Sequence, residues 1–219
     1  IKLLVMPLVI KDIHGLHETL ADFVEKGGHL IVGPYFLVYR VDCFAYSNIP
    51  PERFQELLGF RRREIYYPGE ILVDVVPGLL DYSLAIKGYH LVEEFELTGG
   101  TPLLYYGNIV AGALKQYGRG LAYSLGTFLG TPYLKEGTGL KPFLSSIMTR
   151  AGCRRFPPAT GGAVVRLAHS KSGDLLFIFN PLENALKTVV EVPAHVSSAL
   201  DLLEAREIEV MEKKIPLEL

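Results

Sequence analysis

The sequence predicts an α/β domain followed by a small all-β domain. Near its start, an amphipathic helical pattern lies between two short apolar runs, and short alternating runs fill the C-terminal region. Apolar runs without alternation are typical of parallel strands buried on both faces, and a helix between two of them gives a right-handed crossover. The chain therefore begins with a strand–helix–strand unit over residues 1–33.

This opening unit has clear boundaries. Residues 1–6 and 29–33 are the two apolar runs, and residues 15–26 between them form the helical pattern. The apolar positions of that pattern share one helical face; they are Leu16, Leu20, Phe23 and Val24. We expect Asp12 to cap the start of the helix and Gly27 to end it in a left-handed conformation.

Further elements follow in the same domain. A short helix is expected from Pro51 to Gly59, and Thr138 is expected to cap a second amphipathic helix over residues 138–151. Residues 34–50 lie just after a parallel strand, where open α/β sheets place their ligand sites. Period-two patterns predict strands at residues 60–65, 70–76, 83–86, 89–97, 102–106, 110–116 and 121–125.

The C-terminal region is expected to be a small antiparallel sandwich or barrel. Glycine and proline are frequent in residues 153–161, which we interpret as a linker between domains at residues 1–152 and 162–219. Short runs separated by turn residues predict strands at residues 163–168, 174–179, 187–192, 199–203 and 208–211.

Composition excludes several classes of protein. The chain has 219 residues, of which 49% are hydrophobic and 21% charged, as in globular domains. Its net charge of −2 gives no electrostatic basis for binding nucleic acid or an anionic membrane. Two cysteines make no disulfide framework, and no apolar run is long enough to cross a membrane, so we expect a cytoplasmic protein. The apolar start at Ile1 and the end at Leu219 suggest a piece of a longer polypeptide.

Cys43 is the one candidate nucleophile, because it lies after a predicted parallel strand. A nucleophilic cysteine in such a fold is expected on a glycine-flanked turn, with a histidine and an acid nearby. The neighbours of Cys43 are Asp42 and Phe44, which favours a semi-buried structural thiol.

Other polar and aromatic patterns have simpler structural explanations. His14 and His17 could share one helical face as metal ligands, but no third ligand has a suitable position. Glu93 and Glu94 are adjacent, so in a strand they point to opposite faces and cannot act as a pair. An aromatic set after the second strand could stack on a sugar or form an interface or loop core: Tyr35, Phe36, Tyr39, Phe44 and Tyr46. No metal or cofactor is expected.

The order and spacing of five motifs resemble those of family 42 bacterial β-galactosidases. They are LLVMP at residues 3–7, LADFVEKGGHLIV at residues 20–32, LLGF at residues 57–60, YGRGLAYSLGT at residues 117–127, and LFIFNP at residues 176–181. Read alone, the glycines of residues 117–120 indicate a hairpin turn. Taken together, the motifs cover nearly the whole chain.

The resemblance implies a non-catalytic role. It suggests a middle domain with a class I glutamine amidotransferase-like (flavodoxin-like) fold that lacks the catalytic triad and forms trimers, followed by a small β-sandwich. Compared with that family, the first strand and helix of the middle domain and the last strand of the tail are expected to be missing. The galactosidase carboxylates of that family belong to an N-terminal (β/α) barrel, a fold that needs about 250 residues. The implied partners are that barrel, further copies of the chain and the carbohydrate substrate of the parent enzyme, and no catalytic residue is carried over.

Two alternatives remain open from the sequence. One is an amidotransferase-like or hydrolase domain that uses Cys43 as its nucleophile. The other is a domain that binds a small molecule, such as a sugar, in the cleft after Gly33.

Overall fold

The computed structural model describes residues 1–77, 84–130, 139–153, 159–170, 173–181, 183–192 and 196–218. The chain divides into two compact units, Ile1–Cys153 and Arg154–Leu219. The first unit contains the helices α1 (Leu16–Glu25), α2 (Glu52–Leu58) and α3 (Leu140–Arg150). Within the described residues, the helices are too short to span a bilayer.

The first unit is built on a mixed seven-stranded sheet. Its strands are β1 (Leu3–Met6), β2 (His29–Val32), β3 (Phe60–Val75), β4 (Ala85–Leu97), β5 (Thr101–Tyr106), β6 (Ile109–Tyr117) and β7 (Gly120–Leu125). They lie in the order β1-β2-β7-β6-β5-β3-β4, so β1 is an outermost strand. β2 pairs in parallel with both β1 and β7, and the remaining pairs are antiparallel. The expected strand–helix–strand motif is confirmed as β1, α1 and β2. The first compact unit as a whole contains more β-structure than the predicted α/β domain.

Both faces of the sheet are covered, and alternate residues of β2 belong to different cores. Leu30 and Val32 pack with α1 and α2, whereas Ile31 packs with α3. The α1–α2 core includes Leu16, Leu20, Val24, Phe36, Phe54, Leu57 and Leu58. The α3 core includes Val73, Val92, Leu104, Tyr123, Phe143 and Ile147. The apolar run in β2 is therefore explained by burial on both sides.

Two strands are longer than the sequence predicts. The strands predicted at residues 60–65 and 70–76 are one strand, β3, which ends at Val75, although Pro68 and Gly69 interrupt the pattern between them. The β3–β4 pairing shifts register between Tyr66 and Gly69, and such a bulge lets the ladder continue past the interruption. β4 likewise joins two predicted strands, and Ser83, the expected start of the first, lies outside the described residues.

The expected helix ends are correct at one boundary and wrong at another. Gly27, with φ of +104°, lies just after α1 as predicted. Asp12 does not cap this helix, because α1 begins four residues later at Leu16, and the cap position is Gly15, which is left-handed at φ +75°. Asp12 is instead buried and bound to distant side chains. The predicted cap of α3, Thr138, lies outside the described residues.

The second unit contains antiparallel strand pairs. Its strands are β8 (Val164–Ser170), β9 (Gly173–Phe179), β10 (Lys187–Glu191), β11 (Ala199–Asp201), β12 (Arg206–Ile208) and β13 (Lys214–Glu218). β8 pairs with β9, β10 with β13, and β11 with β12. β11 ends at Asp201 rather than at residue 203, because the Asp201 carboxylate accepts the Leu203 and Glu204 N–H groups and forms a turn. β12 consequently starts earlier than predicted. The sequence reading missed β13, which contains Pro216.

The two segments that follow β1 and β2 approach each other closely, and this contact gives a test of the architecture. A Cβ atom on Gly33 would overlap the carbonyl oxygen of Pro7, whereas a Cβ on Gly130 meets nothing within 4 Å. Neither glycine has a positive φ, so the two substitutions differ in packing alone. We expect Gly33→Ala to lower the free energy of unfolding in urea by about 3 kcal/mol, and Gly130→Ala to change it little. Equal stability of the two variants would contradict this packing.

Candidate functional site

Two loops follow the C-terminal ends of β1 and β2 and meet there. The first loop is residues 7–15 and the second is residues 33–51. The Tyr39 N–H donates to the Ile10 carbonyl at 2.8 Å, and the Asp12 N–H donates to the Tyr39 carbonyl at 2.8 Å. These bonds extend the parallel pairing beyond the strands and hold the two loops side by side.

Asp12 links the two loops to α2 through its buried carboxylate. Its side chain is fully buried and accepts hydrogen bonds from the Tyr46 hydroxyl, at 2.5 Å, and from the Arg53 guanidinium. The other carboxylate oxygen accepts the Ile13 N–H at 2.8 Å. A buried charge is stable only when it is paired and hydrogen-bonded, and this one is. Burial and the bond to Asp12 raise the pKa of the Tyr46 hydroxyl.

A cavity of about 610 Å³ opens beside Asp12. It is lined by residues 13–18 of the first loop and α1, by residues 40–42 of the second loop, and by Tyr46 and Arg53. Its volume lies in the range of pockets that hold small molecules. Residues 40–42 and Tyr46 of its lining fall within residues 34–50, the region where the sequence predicts a ligand site, and the presence of a ligand site there stays a prediction.

Charged side chains in the cavity are paired with one another. The Arg40 guanidinium lies 3.0 Å from the Asp42 carboxylate, and Arg53 is bound to Asp12. Glu18 is close to the ring of His17, with 4.0 Å between Oε1 and Nδ1. Both guanidinium groups of the cavity lining are therefore already paired with carboxylates.

His14 and His17, which the sequence analysis considers as metal ligands and for which it finds no third ligand, both line this cavity. The ring of His17 packs edge-on against Phe54, with 5.0 Å between the ring centroids. In the part of the chain that the structure describes, histidine, cysteine and acidic side chains form no group of three that could hold a metal ion. His14 and His17 are thus wall residues of the cavity.

Cys43 lies at the tip of the second loop. It is exposed and adopts a positive φ of 67°, and its N–H donates to the Arg40 carbonyl at 3.0 Å. The semi-buried position expected for this thiol is therefore wrong, because the turn points it outward. Cys43 follows the residues that line the cavity and is not itself among its described lining residues. Its role as a nucleophile stays a prediction.

The aromatic set after β2 has divided roles. Phe36 is buried against Phe54 with 5.7 Å between ring centroids, so it belongs to the core. The Tyr35 hydroxyl lies 3.1 Å from the hydroxyl of Tyr67 on β3. Phe44 is 71% exposed, which leaves it available for an interface.

A second buried carboxylate, Glu93 of β4, ties that strand to β3 and the second loop. Its Oε1 accepts a bond from Arg62 at 2.9 Å and from the Tyr35 N–H at 3.1 Å. Burial raises the pKa of Glu93 and outweighs the opposing effect of Arg62. Glu94 instead accepts a bond from Tyr66 at 2.7 Å, so the two glutamates have separate environments, as their adjacency predicts.

Sequence reasoning missed both buried carboxylate clusters. Tyr46 and Arg53 lie 34 and 41 residues after Asp12, and Arg62 lies 31 residues before Glu93. No motif spacing connects such positions. The one available signal is that Asp12 is the acid within an otherwise apolar and basic stretch, residues 8–13.

No protein-family model matches the chain, and no curated protein matches it. Solved β-galactosidase structures do match it over its whole length. The enzyme from Bacillus circulans sp. alkalophilus is 17% identical with a TM-score of 0.76, covering 99% of this chain and 32% of that one. A GH42 enzyme from G. stearothermophilus is 21% identical with a TM-score of 0.72, covering 100% and 30%. The enzyme from Rahnella sp. R3 is 18% identical with a TM-score of 0.72, covering 100% and 32%.

The fold is that of a β-galactosidase segment. The chain spans about a third of the length of these enzymes. The resemblance stated from the five sequence motifs is therefore confirmed by the fold, which extends across both units.

The raised pKa of Glu93 predicts how stability depends on pH. The pKa lies above its ordinary 4.5 in the folded chain, so the folded state holds this proton more tightly than the unfolded state. The resulting stabilisation is complete below pH 4.5 and is lost as pH rises through the folded pKa. We expect Glu93→Gln to abolish this contribution, so in urea unfolding its stability relative to wild type rises as the pH is increased above 4.5. Parallel pH profiles for the two proteins would contradict the expectation.

Proposed function

We propose that this chain is the non-catalytic C-terminal portion of a β-galactosidase-like glycoside hydrolase, in which it mediates oligomerisation and shapes the rim of the active site. The observation that carries the proposal is the match of 99–100% of the chain to 30–32% of β-galactosidase chains. The parent enzyme would hydrolyse β-galactosides or related glycosides by a retaining mechanism with two carboxylates outside this chain.

In this proposal the two units have different roles. Residues 1–152 form an amidotransferase-like, flavodoxin-like trimerisation domain, residues 153–161 are a linker, and residues 162–219 form a small β-sandwich. The parallel order β1-β2-β7 with helices on both faces supports the first assignment. The antiparallel pairs β8–β9, β10–β13 and β11–β12 support the second.

The proposed separation from catalysis is supported by size and topology. A (β/α) barrel closes eight parallel strands and takes about 250 residues. The described residues of this chain instead form a mixed sheet and antiparallel pairs. This supports the proposal that the barrel with its catalytic carboxylates belongs to another part of the parent chain.

An apolar surface along β1 supports the association role. We define the β1-edge surface by Val5, Leu8, Ile10 and Ile13, which are all exposed. They belong to an outermost strand and the loop that follows it, so they border the edge of the sheet. Exposed apolar side chains that are grouped in this way mark contacts with other proteins.

The association role predicts the mass of the chain in solution. Light scattering at several concentrations is expected to give a trimer of about three times 24.3 kDa. Leu8→Asp, which puts a charge on the β1-edge surface, is expected to dissociate it, because burying an unpaired carboxylate is costly. Leu72→Asp on β3 is the control, since Leu72 is 57% exposed and Leu8 is 53% exposed. A monomeric wild type, or equal effects of the two substitutions, would overturn the proposal.

A further inference from the structure

We propose that the cavity beside Asp12 binds a small, neutral, polyhydroxylated ligand, that is, a mono- or disaccharide. The inference rests on the fixed loops, the paired charges and the lining of the cavity.

The walls of the cavity are fixed before a ligand arrives. Backbone bonds join the two loops at Tyr39, and the Asp12 carboxylate holds Tyr46 and Arg53 in place. Asp42 adds a local constraint, because its Oδ1 accepts the Phe44 N–H at 3.3 Å. A ligand therefore meets polar groups that need little further ordering, which favours binding.

The charges of the cavity select against ionic ligands. The lining contains two guanidinium groups, and each is paired with a carboxylate: Arg40 with Asp42, and Arg53 with the buried Asp12. A bound anion would lie beside carboxylates and a bound cation beside guanidinium groups, so either would have to disrupt an existing pair. Hydroxyl groups can donate to a carboxylate and accept from a guanidinium at once. A neutral polyol can therefore hydrogen-bond to both members of an ion pair without separating them.

Apolar lining complements these groups. The side chains of Ile13, Leu16 and Val41 line the same cavity. The Tyr46 hydroxyl is already bound to Asp12, so this side chain has a fixed orientation in the cavity wall. Sugars have apolar C–H faces between their hydroxyl groups, and pockets with an apolar lining and few fixed polar groups are typical of small-molecule sites.

The Arg40–Asp42 pair allows a test that spares the fold. Its side chains are 54% and 48% exposed, so losing the pair is expected to have little effect on stability. Arg61 and Glu96, on β3 and β4, form a matched pair that is 2.7 Å apart, 44% and 48% exposed, and outside the cavity lining. Asp42→Asn and Glu96→Gln therefore make equivalent charge changes inside and outside the cavity.

The experiment is titration of the 219-residue chain with lactose, followed by calorimetry and by NMR of the labelled protein. We expect saturable binding, with shifts at residues that line the cavity. Asp42→Asn and Arg40→Met are expected to weaken binding about tenfold, the effect of one hydrogen bond to a charged group. Glu96→Gln and Arg61→Met are expected to leave binding unchanged.

Three outcomes would overturn the inference. The first is no binding at about 50 mM lactose, where a site with a millimolar dissociation constant is nearly saturated. The second is an equal loss of binding in Asp42→Asn and Glu96→Gln. The third is tighter binding of galacturonate or inorganic phosphate than of lactose, which would show that the cavity selects anions. Light scattering on the same samples distinguishes these outcomes from a failure of the association role.

Discussion

The burial of β2 on both faces is the constraint from which the rest of the first unit follows. Each of its four residues is buried, and its two neighbours, β1 and β7, run parallel to it. Parallel strands need a crossover, so α1 must cover one face, and α3 covers the other. Because β1 and β2 are parallel, their C-terminal ends lie at the same end of the sheet. The loops that build the cavity meet there as a consequence of the strand direction.

Charge is buried where these loops must be joined to the sheet and to α2. Asp12 connects the loops to α2 through Arg53, and Glu93 connects the second loop to β3 through Tyr35 and Arg62. Each carboxylate is desolvated, which costs stability, and each recovers part of that cost by accepting several hydrogen bonds. A buried, hydrogen-bonded pair of this kind fixes one conformation of the loop, whereas apolar contacts alone would allow several.

The sequence predicts the elements that depend on local patterns. β2, α1 and the hairpin between β6 and β7 follow from apolar spacing and glycine positions, and these elements are confirmed. The sequence predicts two strands where the structure has the single strand β3. The bulge that carries β3 past Pro68 depends on pairing with β4, which no local pattern reveals. For the cavity, the sequence predicts only a region, residues 34–50, where a ligand site would lie. The bond beside the cavity joins Asp12 to Arg53 across 41 residues, so its partners become neighbours only after the sheet has formed.

The cavity and the β1-edge surface share Ile13, which lines one and belongs to the other. Association that covers Ile13 would change the surroundings of a bound ligand, and ligand binding would change the association constant by the same factor. The coupling would depend on whether Ile13 is oriented alike in the free and associated chain. Because the two loops are held together by backbone bonds at Ile10 and Tyr39, the arrangement of this wall is set by the sheet rather than by the partner. A sheet edge of this kind can therefore join subunit contact and ligand binding without a large conformational change.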